Sequence, residues 1–211
     1  MFLVNDRFLD LNATSQKMVV FLIDKVDDKN RYDIEFSCKE FMDFLGFADT
    51  GGKRIYLQKC LMDLRNTAIW IEQKDGSQVP FSWIEGTPLV DTGTIKVKLN
   101  QLITPFIAEY KTQINEGNYK FMIYMKSKYS IRLYELLKIL NAKNACTEIK
   151  LDRLKYILSA EEYKKFHEFK TNVLDVVQED LRKYMNYSFD YSITKKSKRI
   201  DGLKFLCNVQ N

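Results

Sequence analysis

The pattern of apolar and polar positions is clearest near the C-terminal end of the chain. Between Phe166 and Tyr184, apolar side chains recur every three to four residues, which predicts an amphipathic helix beginning near Tyr163. After Asn186 the period changes to two, and two alternating runs extend to Val209, which predicts a β-hairpin with one buried face. We therefore expect one long helix followed by a hairpin in this stretch.

Cations are concentrated at the start of this helix and at the turn of its hairpin. The hairpin turn, residues 195–199, is called the wing tip here and holds four cations: Lys195, Lys196, Lys198 and Arg199. The opening of the helix, residues 163–172, is called the reading segment and carries Lys164, Lys165, His167, Lys170, Thr171 and Asn172. A basic helix followed by a basic hairpin is typical of a recognition helix and wing.

Shorter elements precede this helix. The pattern predicts a helix over residues 130–140, a short strand over 146–149 and a second helix over 151–158. A further short strand is predicted at 119–125. The resulting order of helix, strand, helix, helix and hairpin is that of a winged-helix module.

The first half of the chain repeats this order. Helices are predicted at 14–26, 38–45, 53–66 and 100–110, and strands at 32–36, 68–72, 79–84 and 94–99, with a turn at 85–88. Asn12, Thr14 or Ser15 can cap the first helix, and Ser37 with Glu40 has capping-box spacing before the second. In the third helix the predicted inward positions are Ile55 or Tyr56, Cys60, Leu61 and Leu64.

These elements predict an α+β fold of two tandem winged-helix domains, residues 1–118 and 119–211. The charge divides along the same line, although the whole chain carries a net charge of only +5. Residues 1–120 hold 15 basic and 17 acidic side chains, whereas residues 121–211 hold 18 and 11. This asymmetry indicates that the second domain makes most of the contact with a polyanion, although a solvated lysine-rich surface would give the same count.

Several classes of protein fit the sequence poorly. The chain has one histidine, so paired-histidine metal sites and Cys/His zinc sites are not expected, although a site of carboxylates alone stays open. It has no phosphate-binding loop of the G-x-x-x-x-G-K-[ST] type, so we expect no ATPase motor. We expect neither enzyme activity nor a cofactor. Four scattered cysteines favour packed thiols in a reduced cytosol over disulfides, and no apolar run predicts a membrane span.

Residues 127–137, SKYSIRLYELL, followed by LDRLKYIL, YKKFHEFKTNVL and the closing hairpin, resemble the second winged-helix domain of the iteron-binding plasmid replication initiators, the initiator Rep protein family. The segment VNDRFLDLNATSQKMVVFLIDKV resembles the start of the first domain of that family. The resemblance implies a protein that binds repeated origin sequences in double-stranded DNA, forms a homodimer in equilibrium with a monomer, and recruits host replication proteins such as a helicase. It also implies that the second domain is the main DNA reader, while the first dimerises and makes auxiliary contacts.

The candidate DNA-binding residues divide by the contact that each side chain can make. In the reading segment, lysines suit phosphates or guanine edges, Asn172 suits adenine, and Thr171 suits a phosphate or a thymine methyl. The wing tip suits a backbone or minor-groove clamp. A second patch at a predicted helix start comprises Ser127, Lys128, Ser130 and Arg132, where Ser130 can instead be a cap and Arg132 can pair with Glu135 or Glu148. The equivalent helix of the first domain offers Lys53, Arg54 and Lys59.

Three functions remain open at this point. The first is a non-enzymatic initiator of plasmid-type replication in the bacterial cytosol that binds origin repeats, helps open the origin and represses its own gene. The second is a winged-helix transcriptional repressor with no part in replication. The third is an assembly module whose winged helices bind protein and not DNA.

Overall fold

The computed structural model describes residues 11–27, 32–46, 53–72, 76–91, 93–104, 107, 111, 122–142, 148–185 and 187–209. The chain divides into two compact units, one spanning Leu11–Tyr124 and the other comprising the described residues from Met125 onward. The predicted domain boundary between residues 118 and 119 lies outside the described residues. The two units are called the first and second modules below.

Three helices of the first module begin where the sequence supplies a cap or a suitable periodicity. They are α1 (Ala13–Lys25), α2 (Cys38–Phe44) and α3 (Lys53–Asn66). Of the three candidate caps for α1, Asn12 is the one used, because its side chain accepts hydrogen bonds from the backbone N–H groups of Thr14 and Ser15. The capping box of Ser37 and Glu40 at α2 is present as predicted.

The strands of the first module form a three-stranded sheet and a separate hairpin. The antiparallel sheet has the order β1 (Asp33–Ser37), β5 (Thr94–Leu99) and β4 (Ile84–Val90), and the hairpin pairs β2 (Ile69–Glu72) with β3 (Gln78–Phe81). The predicted turn at 85–88 is wrong, because β4 runs through it with a register shift between Glu85 and Leu89. Gly86 takes φ +68 inside this irregularity, a conformation that glycine adopts without steric cost.

The core of the first module contains an aromatic cluster around Phe21 of α1. Its ring lies 5.0 Å from that of Phe36 and 5.2 Å from that of Phe41, in edge-to-face contacts. The predicted inward position at Ile55 or Tyr56 is wrong, since both side chains are exposed and Leu57 is fully buried in their place. Cys60, Leu61 and Leu64 are buried as predicted.

Two segments predicted as regular elements contain short 3₁₀ turns. Gln101–Ile103 is a 3₁₀ turn at the start of the helix predicted over 100–110, the described residues Thr104 and Ile107 are α-helical, and the rest of the stretch lies outside the described residues. Met122–Tyr124 is a 3₁₀ turn where a strand was predicted. Neither segment has a β-ladder partner among the described strands, and a 3₁₀ turn needs only local hydrogen bonds.

The second module follows the predicted order closely. It consists of α4 (Lys128–Ala142), β6 (Glu148–Lys150), α5 (Leu151–Ile157), α6 (Phe166–Phe169), a π-helical turn (Lys170–Leu174), α7 (Asp175–Met185), β7 (Tyr187–Lys196) and β8 (Arg199–Val209). The continuous helical stretch 166–185 is called the third helix of this module. Its buried side chains include Phe169, Val173, Val177 and Leu181, as the periodicity predicts.

The sheet of the second module has the order β6–β8–β7, with all strands antiparallel. Gly202 of the central strand β8 lies between Lys150 and Thr194. A Cβ atom there would stand 2.7 Å from the carbonyl oxygen of Ile149, so only glycine fits without moving the backbone of β6. The predicted buried face of β7 holds at Tyr187 and Phe189 but is wrong at Ile193, which is exposed on the part of the hairpin near its turn.

Both modules are α+β and share one sheet topology. In each, the short strand after the first helix pairs with the last strand, and the last strand pairs with the strand before it. By this correspondence β4 and β5 form the wing of the first module, and β2 and β3 are an additional hairpin. Among the described residues, no helix has the length and apolar character needed to cross a membrane.

Candidate nucleic-acid interface

The third helix of the second module starts three residues later than the sequence predicts. It begins at Phe166, so Lys164 and Lys165 belong to the segment that leads into it. The backbone N–H of Lys165 donates to Glu168 Oε2 at 3.4 Å, which satisfies one of the free N–H groups near the helix start. The reading segment is therefore part loop and part helix.

Lys155 of α5 holds the loop that precedes this helix. Its Nζ donates to the carbonyl oxygen of Tyr163 at 2.6 Å and approaches that of Lys164 at 3.4 Å. The same ammonium lies 5.6 Å from the ring centre of Phe169, within cation–π range. The Lys155 side chain is buried, so it acts on the position of the loop and not on a ligand directly. Sequence reasoning missed this residue, because nothing in its spacing distinguishes it from a solvated lysine.

A π-helical turn occupies the end of the reading segment. Lys170–Leu174 form this turn, and the backbone N–H of Asp175 donates to the carbonyl oxygen of Lys170. The side chains of these two residues also pair, with Lys170 Nζ at 2.7 Å and 2.8 Å from the two carboxylate oxygens of Asp175. This hydrogen bond raises the pKa of Lys170, which keeps the ammonium charged. Turns of this kind occur frequently at functional sites.

The remaining candidates in the reading segment are exposed. Lys164, Lys165, His167, Thr171 and Asn172 all face solvent. Asn172 Nδ2 donates to the carbonyl oxygen of Glu168 at 2.9 Å, which fixes the amide on the helix surface. A side-chain amide has two N–H donors and one oxygen acceptor, so this contact leaves one N–H and the oxygen for a base edge.

The turn of the second wing contains fewer residues than the sequence predicts. Lys195 and Lys196 belong to β7, Arg199 begins β8, and only Ser197 and Lys198 form the turn, with Ser197 at φ +58. All four predicted cations are exposed, and no carboxylate within the described parts of the chain forms a salt bridge with them. The strand pairing places Lys195 opposite Ile200 and Lys196 opposite Arg199, so the charges lie close together.

One hydrogen bond and one electrostatic interaction join the third helix to the wing. Gln178 Nε2 donates to the carbonyl oxygen of Phe189 at 3.0 Å. Tyr191 of β7 lies near the Lys170–Asp175 pair; partial burial raises its pKa, the charge of Lys170 lowers it, and that of Asp175 raises it. The reading segment and the wing are therefore parts of one packed surface.

The predicted patch at the start of α4 is largely internal. Ser127 caps this helix by accepting the backbone N–H of Tyr129, and Lys128 Nζ donates to the carbonyl oxygen of Ser159 at 3.3 Å. Ser130 is fully buried and donates to Asp180 at 2.6 Å, while Arg132 is 3% exposed and lies 3.4 Å from Glu135. A buried and engaged side chain cannot reach a phosphate, so Ser130 and Arg132 serve as packing groups in this arrangement.

The equivalent helix of the first module presents a different surface. Lys59 is exposed on α3, and the side chains of Lys53 and Arg54 lie outside the described residues. Ile55 and Met62 are also exposed on this helix, at 73% and 40%. The reading position of the first module therefore carries exposed apolar side chains, of which Ile55 was one of the predicted inward positions.

The wing of the first module lacks the charge of the second. Its turn between β4 and β5 contains Asp91 and Gly93. The lysines of β5 lie beside carboxylates, with Lys96 Nζ 3.1 Å from Glu35 and Lys98 Nζ 3.1 Å from Glu85. The two glutamates therefore partly neutralise the charges of Lys96 and Lys98.

No metal site is evident in the described part of the structure. Among those residues no group of three or more His, Cys, Asp or Glu side chains could hold an ion. Burial raises the pKa of Cys60 to about 11, so its thiol is protonated at neutral pH.

Comparison with protein families gives two adjoining matches over most of the chain. Residues 3–138 match the family described as initiator replication protein, WH1, and residues 150–207 match that described as initiator Rep protein, WH2. The chain belongs to the initiator replication protein family. It is therefore an initiator built from two tandem winged-helix domains, as the sequence predicts, in a family that is typically DNA-binding and not catalytic.

Two solved structures of RctB domains 2 and 3 are similar to this initiator. One is 9% identical, covers 92% of this chain and 82% of that chain, and has a TM-score of 0.47. The other is 9% identical, covers 90% and 80%, and has a TM-score of 0.44. No curated protein sequence matches the chain.

Proposed function

We propose that this initiator binds direct repeats in the double-stranded DNA of a plasmid-type origin, with its second module as the main reader. The observation that supports this most strongly is the exposed cationic surface of that module. The third helix is joined to β7 by the hydrogen bond from Gln178 to Phe189 and by the electrostatic interaction of Tyr191 with Lys170 and Asp175, and the reading segment and the wing tip both expose cations to solvent. A strip of exposed cations beside a helix is the electrostatic pattern of a duplex-binding surface.

In this proposal the two parts of the surface have different tasks. The wing tip contacts phosphates or the minor groove and supplies affinity for any duplex. The reading segment enters the major groove, where Asn172 reads a base edge and Lys164 and Lys165 contact phosphates or guanines. Ser127 and Lys128 remain candidates for a flanking phosphate contact, because their side chains are partly exposed.

The first module has an auxiliary task in this proposal. Lys53, Arg54 and Lys59 contact DNA weakly, and the module also forms the homodimer that is in equilibrium with the monomer. Binding energy from both modules bends and helps to open the origin, after which host replication proteins such as a helicase are recruited. The dimer represses the initiator's own gene, and the protein acts in the bacterial cytosol.

Footprinting on the parent replicon tests this function. We expect protection of direct repeats, with contacts in successive major grooves about 10–10.5 base pairs apart. The logarithm of the affinity should fall with the logarithm of salt concentration by roughly 0.9 for each neutralised phosphate. Protection of no repeated sequence would contradict the proposal, and weak binding without salt dependence would favour the protein-binding assembly module.

A transcriptional repressor without a replication role is the second candidate, and it makes the same contacts with DNA. A complementation assay separates the two functions. The initiator should support replication of a plasmid that carries the origin but lacks its own initiator gene, whereas a dedicated repressor should not.

A further inference from the structure

Lys170 and Asp175 are joined twice in the third helix of the second module. Their backbones are linked by the hydrogen bond from Asp175 N–H to Lys170 O, and their side chains by the contacts of 2.7 Å and 2.8 Å. Both links span the same five-residue step, which is the step of a π-helix. The ion pair therefore bridges the π-helical turn along its whole length.

A regular α-helix would not allow this pair. At 3.6 residues per turn, positions five residues apart point about 140° away from each other. The wider π-helical turn brings the same positions much closer to one face. The pair and the turn thus support each other, and loss of the pair removes one reason for the turn to persist.

The π-helical turn determines which side chains of the reading segment face outward. One extra residue in a turn rotates everything before it by about 100° relative to everything after it. After the turn, Val177 and Leu181 are fixed in the core. His167 lies before the turn and Thr171 and Asn172 lie within it, so the direction of all three side chains relative to the core depends on the extra residue.

We propose that Asp175 is a positioning residue for DNA recognition, which acts by holding Lys170 and the π-helical turn. This inference rests on the proposed DNA-binding function. Asp175 carries a negative charge, so it is unsuited to phosphate contact itself. By pairing with Lys170, Asp175 keeps that cation from making non-specific phosphate contacts. It also directs the neighbouring Thr171 and Asn172 towards bases.

The test compares Asp175→Ala with Glu179→Ala in the full chain. Glu179 is a matched control, because it is an exposed carboxylate one turn further along α7 and lines the same recess of about 430 Å³. Truncation of either residue removes one negative charge near the DNA. The probe is a duplex selected by the wild-type protein from a random-sequence pool, measured against a scrambled duplex of the same composition.

We expect Asp175→Ala to lower the ratio of selected to scrambled affinity by roughly tenfold, the size of one good base contact. The freed Lys170 should also steepen the salt dependence by roughly 0.9, as one added phosphate contact does. Glu179→Ala should change the ratio less than about twofold, since it breaks no described ion pair. Asp175→Glu, which can still reach Lys170, should restore most of the ratio.

Hydrogen exchange in the free protein gives a second readout. The amides of residues 170–175 should exchange faster in Asp175→Ala than in Glu179→Ala. Equal ratios and equal exchange in the two variants would overturn the positioning role while leaving the DNA-binding function intact. A wild-type protein that selects no sequence from the pool would instead overturn the proposed function itself, and the positioning role with it.

Discussion

The two wings of this initiator have the same topology and opposite surface chemistry. In the second module the turn between β7 and β8 is surrounded by four exposed cations. In the first module the turn between β4 and β5 holds Asp91 and Gly93, and the nearby Lys96 and Lys98 lie beside glutamates. The shared fold therefore does not imply a shared task, since the residues placed on it decide the contact.

The third helices differ in the same direction. The second module exposes polar and basic side chains such as Asn172 and Lys165, whereas the first exposes Ile55 and Met62 beside Lys59. Polar side chains can read base edges, while apolar ones can contact only thymine methyls or another protein surface. This difference supports a main DNA reader in the second module and an auxiliary module before it.

Charge reversal at the wing tip should weaken DNA binding more than any of the other changes. A small effect would contradict the contrast between the two wings. We expect the triple change of Lys195, Lys196 and Lys198 to Glu to weaken binding to every duplex by on the order of a thousandfold at low salt, because three phosphate contacts are lost. A titration against selected and scrambled duplexes measures this. Lys204→Glu, an exposed change further along β8, is the control and should have a small effect. An equal loss from Lys96→Glu in the first wing would contradict the division of labour.

Two neighbouring apolar residues test which face of α3 is buried in the core. Leu57→Ala should lower the free energy of unfolding by about 2–5 kcal/mol, because Leu57 is fully buried and its loss leaves a cavity. Ile55→Ala should change it by less than about 0.5 kcal/mol, because that side chain is 73% exposed. Denaturant unfolding followed by circular dichroism measures both. A large loss of stability in Ile55→Ala would mean that this surface is covered in solution.

Asn172→Ala tests whether the reading segment supplies sequence choice while the wing tip supplies affinity for any duplex. We expect it to relax sequence choice by about 1–3 kcal/mol at one base position, with little change in affinity for scrambled duplex. Selection from a random-sequence pool, repeated with the variant, identifies the relaxed position. Glu179→Ala, at an exposed position further along the same helix, is the control and should leave sequence choice unchanged. A uniform loss across all sequences would indicate that Asn172 contacts the backbone of the DNA.

The smallest expected effect is the contribution of the Glu40 charge to the stability of α2. Of the short helices α2 and α5, only α2 has a side-chain cap among its described contacts. A hydrogen bond from Lys25, aided by the backbone N–H of Ser37, lowers the pKa of Glu40 to about 2 from its ordinary value of 4.5. Because the folded-state pKa is depressed, this stabilisation is present above about pH 4.5 and is lost as the pH falls towards 2. Solvent screening limits it to below about 1 kcal/mol.

Glu40→Gln tests this contribution, since glutamine can keep the capping contact but does not titrate. The difference in unfolding free energy between wild type and variant should shrink as the pH is lowered from 5 to 2, within the range where Glu40 becomes protonated. A difference that stays constant over this range would show that the charge of Glu40 does not stabilise α2.

Much of the fold follows from local features of the sequence. The bounds of α3, the capping box of α2 and the order of elements in both modules depend on periodicity and on short-range hydrogen bonds, which a sequence displays directly. The initiator family was also predicted, and residues 3–138 and 150–207 confirm it. The assignment of individual DNA-binding residues stays a prediction.

The wrong predictions concern burial and strand pairing, which depend on residues distant in the sequence. Ile55 and Leu57 differ in burial because of what packs against α3, which the pattern of one helix does not contain. The segment 85–88 carries turn residues, yet its pairing with β5 makes it a bulged strand. For Arg132 the sequence left a phosphate contact and a carboxylate pair open, and its burial beside Glu135 favours the carboxylate pair.

The sequence by itself determined the two winged-helix modules and the concentration of cations in the second, because both depend on residue type and spacing along the chain. Only the tertiary structure decided how those cations are held. Lys155 binds the carbonyls of the loop before the third helix, Asp175 occupies Lys170 across a π-helical turn, and the wing tip stays unpaired among the described residues. Such pairings depend on distances between side chains after folding, which residue spacing alone does not specify.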